Sequence, residues 1–192
     1  LLNPALKGKI AAGDPVNSSS AFNCLVAGLY AMGNGDPMSD AAWNWVEGFI
    51  ANLDGVVLSS SSQVYKGVAE GEYMVGLTWE DPAAAYVRDG VAVKVVFPEE
   101  GTFMSGQCVS IIKGAPHMEN AKKFVDYMLG ETCQSYVGQN TTVRPLGATA
   151  TLSDVLTPWE DVTELKSYDG EWVADNKSQI TERYTEYLEN AG

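Results

Sequence analysis

Three consecutive hydroxyls, Ser18, Ser19 and Ser20, stand where an apolar helix pattern begins. A helix start offers up to four backbone N–H groups without an intrahelical partner, together with the positive end of the helix dipole. Serines there cap the helix, and they also donate hydroxyl hydrogen bonds to a bound oxyanion. The segment Asp14-Pro15-Val16-Asn17-Ser18-Ser19-Ser20 therefore reads as a cradle for a small anion, with plain capping as the competing role. A second group of polar residues, Trp79, Glu80 and Asp81, closes the strand pattern Tyr73–Thr78. There Trp79 fits either core packing or stacking on a sugar, and Glu80 stands at a strand end where ligands are met. Asp81 fits a helix N-cap with Pro82 at the first helical position. Arg144, in Thr142-Val143-Arg144-Pro145, is the cation whose planar fork suits an oxyanion or an ion pair.

Other patterns carry no chemistry. Ser110-Ile111-Ile112-Lys113 has the S-x-x-K spacing of penicillin-recognising enzymes, but its β-branched run predicts a strand that sends Ser110 and Lys113 to opposite faces. No P-loop, nucleophile elbow or H-E-x-x-H pattern occurs, so no catalytic residue and no cofactor is expected. His117 is the single histidine, and Cys24, Cys108 and Cys133 form no C-x-x-C. A thiolate metal site and a full disulfide framework are excluded on that count, which leaves room for one bridge.

The elements that must position these residues alternate. Lys9–Ala12 reads as a short extended run before the serine loop. Phe22, Leu25, Val26, Leu29 and Met32 fall at helical spacing, and Gly33 stops that helix. Ser39 caps a second helix with Trp43, Val46, Phe49, Ile50 and Leu53 on its apolar face. Val56–Leu58 predicts a buried strand, followed by Ser59–Ser62 and a short helix through Val64, Tyr65 and Val68. Beyond Tyr73–Thr78 the pattern predicts a helix to Gly90, strands at 91–97 and 108–112, and an amphipathic helix at 119–129. Ala121, Phe124, Val125, Met128 and Leu129 are its expected inward face. Residues 140–158 read as a connector, and 178–190 as a polar helix with Ile180, Tyr184, Tyr187 and Leu188 on one side. Such alternation predicts an α/β layer architecture, with ligands met at helix starts beyond the strand ends. The loops at 14–20, 59–62 and 78–82 are expected to converge there.

Composition narrows the setting. The 192 residues are 45% hydrophobic, which supports a real core, and the net charge is −13. That charge repels nucleic acid and anionic membrane surfaces, so neither is an expected partner. No apolar run is long enough to span a membrane. Leu1-Leu2-Asn3-Pro4 reads as the interior of a longer sequence.

Several segments, taken in order, resemble type II periplasmic solute-binding proteins of ABC importers. They are Lys7–Ile10 with Asp14–Phe22; Val64–Tyr73; Val95–Thr102, similar to a "YPxEGT" segment; and Asn120–Leu129, similar to "NAxKFxDYLLS". The nearest branch contains ferric-, sugar-phosphate- and phosphonate-binding receptors. The resemblance implies an α/β lobe with a mixed, mostly parallel sheet flanked by helices, plus a return segment of the other lobe. Residues 1–103 would form the main part of the second lobe, 104–157 would belong to the first, and 158–192 would pack back on the second. Most of the first lobe would be missing. The implied protein is no enzyme: it captures a small phosphorylated, sugar-phosphate-like solute between lobes and delivers it to a membrane permease, in the periplasm or outside the cell. Ser18, Ser19 and Ser20 match the family's anion-holding loop, and Arg144 its "RP" segment. Ferric-binding members carry paired tyrosines where this chain has Trp79-Glu80-Asp81. That departure favours a polyhydroxyl or amine-bearing phosphate, with ferric iron, phosphonate or polyamine as the alternative cargo.

Overall fold

Apolar spacing, caps and glycines set the elements of this chain in the order β1 (Ile10–Ala11), α1 (Ser19–Met32), α2 (Asp40–Leu53), α3 (Ser61–Ala69), β2 (Val75–Gly76), α4 (Glu80–Arg88), α5 (Met118–Leu129), α6 (Glu131–Asn140), α7 (Gly170–Asp175) and α8 (Lys177–Ala191). They are seen in a computed structural model that describes residues 1–147 and 152–191. The chain divides into two units, Leu1–Phe103 with Val162–Gly192, and Met104–Asp161.

In the first unit, α1 and α2 pack face to face with α8 against α2. The helical spacing read from the sequence is the reason. Phe22, Leu25, Val26 and Leu29 of α1 meet Trp43, Val46, Phe49, Ile50 and Leu53 of α2, with Ile180 and Tyr184 of α8, in one buried cluster. Trp43 is fully buried, and its indole N–H donates to the Pro37 carbonyl at 3.1 Å, so its burial leaves no polar group unpaired. Gly28 permits the close approach of α1 and α2: a Cβ there would lie 2.2 Å from Cη2 of Trp45. The caps predicted for these two helices form. Ser18 Oγ accepts from Ala21 N and Ser39 Oγ from Ala42 N, each at 3.3 Å.

The sheet is parallel. Ile10 pairs with Val75 and Ala11 with Gly76, while Gly13 forms a parallel bridge with Leu58. β1 is thus central, between β2 and the Leu58 segment. Where the chain leaves this unit, Thr102 bridges Glu164: Thr102 N donates to Thr163 O at 2.9 Å and Leu165 N donates to Thr102 O at 2.8 Å. Phe103 stacks on Tyr168 there, ring centres 3.9 Å apart. Gly101, at φ +115° and packed on Leu165, takes a conformation that an L side chain would strain.

Several expectations are corrected. Residues 91–97 and 108–112 form no strand. In 91–97 the odd residues are half-buried and Ala92, Lys94 and Val96 are exposed, the alternation of a strand without a neighbour to pair with. The strand-to-helix boundary after β2 also moves: α4 starts at Glu80, with Trp79 at the cap and Asp81 inside the first turn. Pro82 is tolerated there because N–H groups of a first turn have no intrahelical acceptor in any case. In the second unit α5 forms as expected, but it has no buried residue, and Phe124 and Leu129 are exposed. Helices α6 and α7 are additions to the elements that the sequence pattern predicts. Part of the connector expected at 140–158 lies outside the described residues. All three cysteines are free, so no bridge forms.

Candidate functional site

The parallel register fixes where the polar loops emerge. β1, the Leu58 segment and β2 run the same way, and each is followed by a helix: α1, α3 and α4. The loops 14–18, 59–60 and 77–79 therefore leave one edge of one sheet, and three helix starts lie beyond that edge.

Asp14 builds the first of them. Its backbone N–H donates to Leu58 O at 3.0 Å, which ties the loop to the neighbouring segment. Its carboxylate accepts from Val16 N at 2.8 Å and from the Asn17 side-chain amide, and its carbonyl accepts from Ser18 N at 2.9 Å. This Asx turn delivers Ser18 into the extended conformation of a cap, φ −125° and ψ 118°. Ser18 then satisfies Ala21 N with its hydroxyl and Phe22 N with its carbonyl. The Ser19 and Ser20 N–H groups come next, and no acceptor for either occurs among the described residues. Ser19 is exposed and Ser20 half-buried. The three serines thus divide into one that shapes the helix start and two that offer donors.

At the second loop, Ser60 N donates to Oε1 of Gln63 at 3.2 Å, the reciprocal half of a capping box. The Ser60 and Ser62 hydroxyls lie 3.1 Å apart. At the third, Trp79 is 40% exposed and meets Tyr65 of α3 edge-on, ring centres 6.1 Å apart; Tyr65 also packs on Tyr86 of α4. Glu80 and Asp81 occupy the first turn of α4, where their charge complements the helix dipole. Thr78 Oγ1, just before them, is buried with no hydrogen-bond partner among the described residues.

Arg144 belongs to the second unit. Its Nη2 donates to Thr157 O at 2.6 Å, and the guanidinium lies 5.5 Å from the Trp159 ring centre. It therefore has a structural task in its own unit. Among the described residues no three His, Cys, Asp or Glu side chains group as they would around a metal ion, and no helix is long and apolar enough to cross a membrane.

The sequence reading put Asp14 and Thr78 in these loops without a role for either, and Tyr65 only on the short helix behind the second loop. The Asp14-x-Val16 spacing is a legible Asx-turn signal. Thr78 carries none, because its orphaned hydroxyl is a product of packing.

Residues 1–166 match the model of a family described as bacterial extracellular solute-binding protein. The chain belongs to that family. This solute-binding protein is 26% identical over 159 residues to iron uptake protein A1 of Synechocystis sp., covering 76% of this chain and 42% of that protein. It is also 26% identical over 199 residues to the spermidine/putrescine-binding periplasmic protein of Escherichia coli, covering 98% and 55%. Among solved structures, the periplasmic binding protein AfuA of Actinobacillus pleuropneumoniae, with exogenous fructose-6-phosphate bound, superposes at a TM-score of 0.81. The identity is 24%, over 98% of this chain and 58% of that one. The solute-binding protein thus has the α/β fold of periplasmic binding proteins, and its family is extracellular or periplasmic. The chain spans roughly half the length of these relatives.

Proposed function

We propose that this chain is part of a receptor that captures a phosphorylated organic solute, such as a sugar phosphate, for an ABC importer, without chemistry. One observation carries the reading: Ser19 and Ser20 present backbone and hydroxyl donors at the start of a 14-residue helix, on the sheet edge shared with Trp79, Glu80 and Asp81. Amide donors and the helix dipole favour a phosphate there against the overall negative charge of the chain. Glu80 and Asp81 accept hydrogen bonds from sugar hydroxyls or a ligand ammonium, and Trp79 offers a stacking face. The ligand of AfuA, a sugar phosphate, is of the proposed class.

Among the described residues the apolar stripe of α5 is uncovered and the 91–97 segment is unpaired, which fits the remainder of a two-lobed receptor: residues 104–157 complete the first lobe together with chain outside these 192 residues, and 158–192 return to the second. Closure of the lobes over the solute is the mechanism. Calorimetric titration of the full-length receptor with glucose 6-phosphate tests the reading, and binding without turnover is the expected result. The names of the iron and polyamine relatives support a second reading. Absence of heat with every phosphorylated solute, beside clear binding of Fe(III) or spermidine, transfers the site to it.

A further inference from the structure

Among the described residues of the first unit, Trp79 is the one exposed aromatic side chain. It also occupies the cap position of α4, with an extended backbone at φ −84° and ψ 163° and no side-chain hydrogen bond to the helix. An indole only donates, so it can accept nothing from the first-turn N–H groups. Ser, Thr, Asp or Asn would serve the helix better there. A position that breaks its local rule calls for another task. The ring is nevertheless held. Tyr65 meets it at 89°, ring centres 6.1 Å apart, and Tyr86 of α4 backs Tyr65 at 6.0 Å and 50°. Tyr65 is itself fixed by the seat of α3 on the sheet. Its neighbour Val64 is 1% exposed. A Cβ on Gly76 of β2 would lie 2.8 Å from Cγ2 of Val68 and 3.1 Å from Cγ1 of Val64. The bare backbone at Gly76 therefore lets α3 settle close on β2, three residues before Trp79.

We infer that Tyr65 is a positioning residue: it fixes the plane of the Trp79 indole, so that the open face selects a cyclic phosphorylated solute over an open-chain one. A perpendicular neighbour covers at most one face of an indole. A pyranose or furanose ring presents a flat C–H face to pack on the other, and an open chain does not. An indole free to turn would lose that freedom at each binding event, whereas a ring set in advance has none to lose. The inference rests on the proposed binding of a phosphorylated solute at this sheet edge. It adds selection by ring shape, and it gives α3 a part in recognition without contact between Tyr65 and the solute.

Fluorine NMR of the full-length receptor carrying 5-fluorotryptophan tests it, with Trp79→Phe identifying the Trp79 resonance. In the parent, glucose 6-phosphate is expected to shift that resonance and sn-glycerol 3-phosphate to leave it in place. Tyr65→Leu is expected to shift and broaden it without any ligand. The same variant should weaken glucose 6-phosphate binding about tenfold and sn-glycerol 3-phosphate binding by less than about twofold in calorimetric titration. Tyr65→Phe keeps the ring and should restore both the resonance and the discrimination. Bound glucose 6-phosphate that leaves the parent resonance unmoved, equal losses for the two solutes in Tyr65→Leu, or a resonance indifferent to Tyr65→Leu overturns the inference. A receptor that binds neither phosphate refutes the proposed function, while the unliganded resonance still decides whether Tyr65 holds the indole.

Discussion

Replacing the three serines one at a time separates shaping from binding. Ser18 Oγ caps Ala21 N at the long distance of 3.3 Å, so Ser18→Ala should cost about 1 kcal/mol. For a protein of this size that lowers the melting temperature by roughly 2–4 °C. Ser19 is exposed, and its hydroxyl has no partner among the described residues, so Ser19→Ala should leave stability within about 0.5 kcal/mol. If the same hydroxyl donates to a phosphate oxygen, the charged hydrogen bond is worth about 1.5–3 kcal/mol, or roughly a ten- to hundredfold loss of affinity. Ser19→Asp should divide the two effects further. A carboxylate at the first helical position favours the helix by about 0.5 kcal/mol through the dipole, yet it repels an anion. Calorimetric titration with glucose 6-phosphate and thermal melts of the full-length receptor read both quantities for each variant. The anion cradle is refuted if Ser19→Ala and Ser19→Asp bind as the parent does, or if Ser18→Ala loses affinity at an unchanged melting temperature.

Gly28→Ala drives a methyl into Trp45, and denaturant unfolding should show a loss of about 2–3 kcal/mol. Thr78→Val removes a buried hydroxyl that has no partner among the described residues, so it should raise stability by about 1 kcal/mol in a thermal melt; lost solute affinity in the same variant would mark the hydroxyl as a ligand contact. Burial raises the Cys24 thiol to about 11, so at pH 8 it stays protonated and should resist a thiol reagent that labels exposed Cys108 in the folded protein. Tyr30, Tyr168 and Tyr184 are all raised, chiefly by burial. The unfolded chain ionises these phenols first, so their contribution is complete below about pH 10 and is lost as pH climbs toward 12; alkaline unfolding followed at 295 nm should show that onset.

The first unit was legible in the sequence where local rules and packing agree. Ser18 and Ser39 cap as read, the apolar faces of α1, α2 and α8 point inward, and the parallel alternation with helices follows from 9–12 and 73–78. The failures share one cause. The pattern of 91–97, 108–112 and 119–129 encodes burial against neighbours, and among the described residues Val96, Ile112, Phe124 and Leu129 remain exposed. Hydrophobic periodicity reports what a segment is built to meet, not whether that partner is present. The region around the serine loop was half legible for a different reason. Ser18–Ser20 and Trp79–Asp81 announce themselves through position at element ends. Tyr65 does not, because its contact with Trp79 arises only when α3 packs beside the end of the strand.

The paired crossing at Thr102 and Glu164 makes the chain modular in a way that can be exploited. Everything between Phe103 and Val162 enters and leaves through two hydrogen-bonded backbones locked by one aromatic stack. A short glycine-rich tether could replace that whole excursion, releasing a minimal scaffold that retains the serine cradle, its sheet and its C-terminal helix.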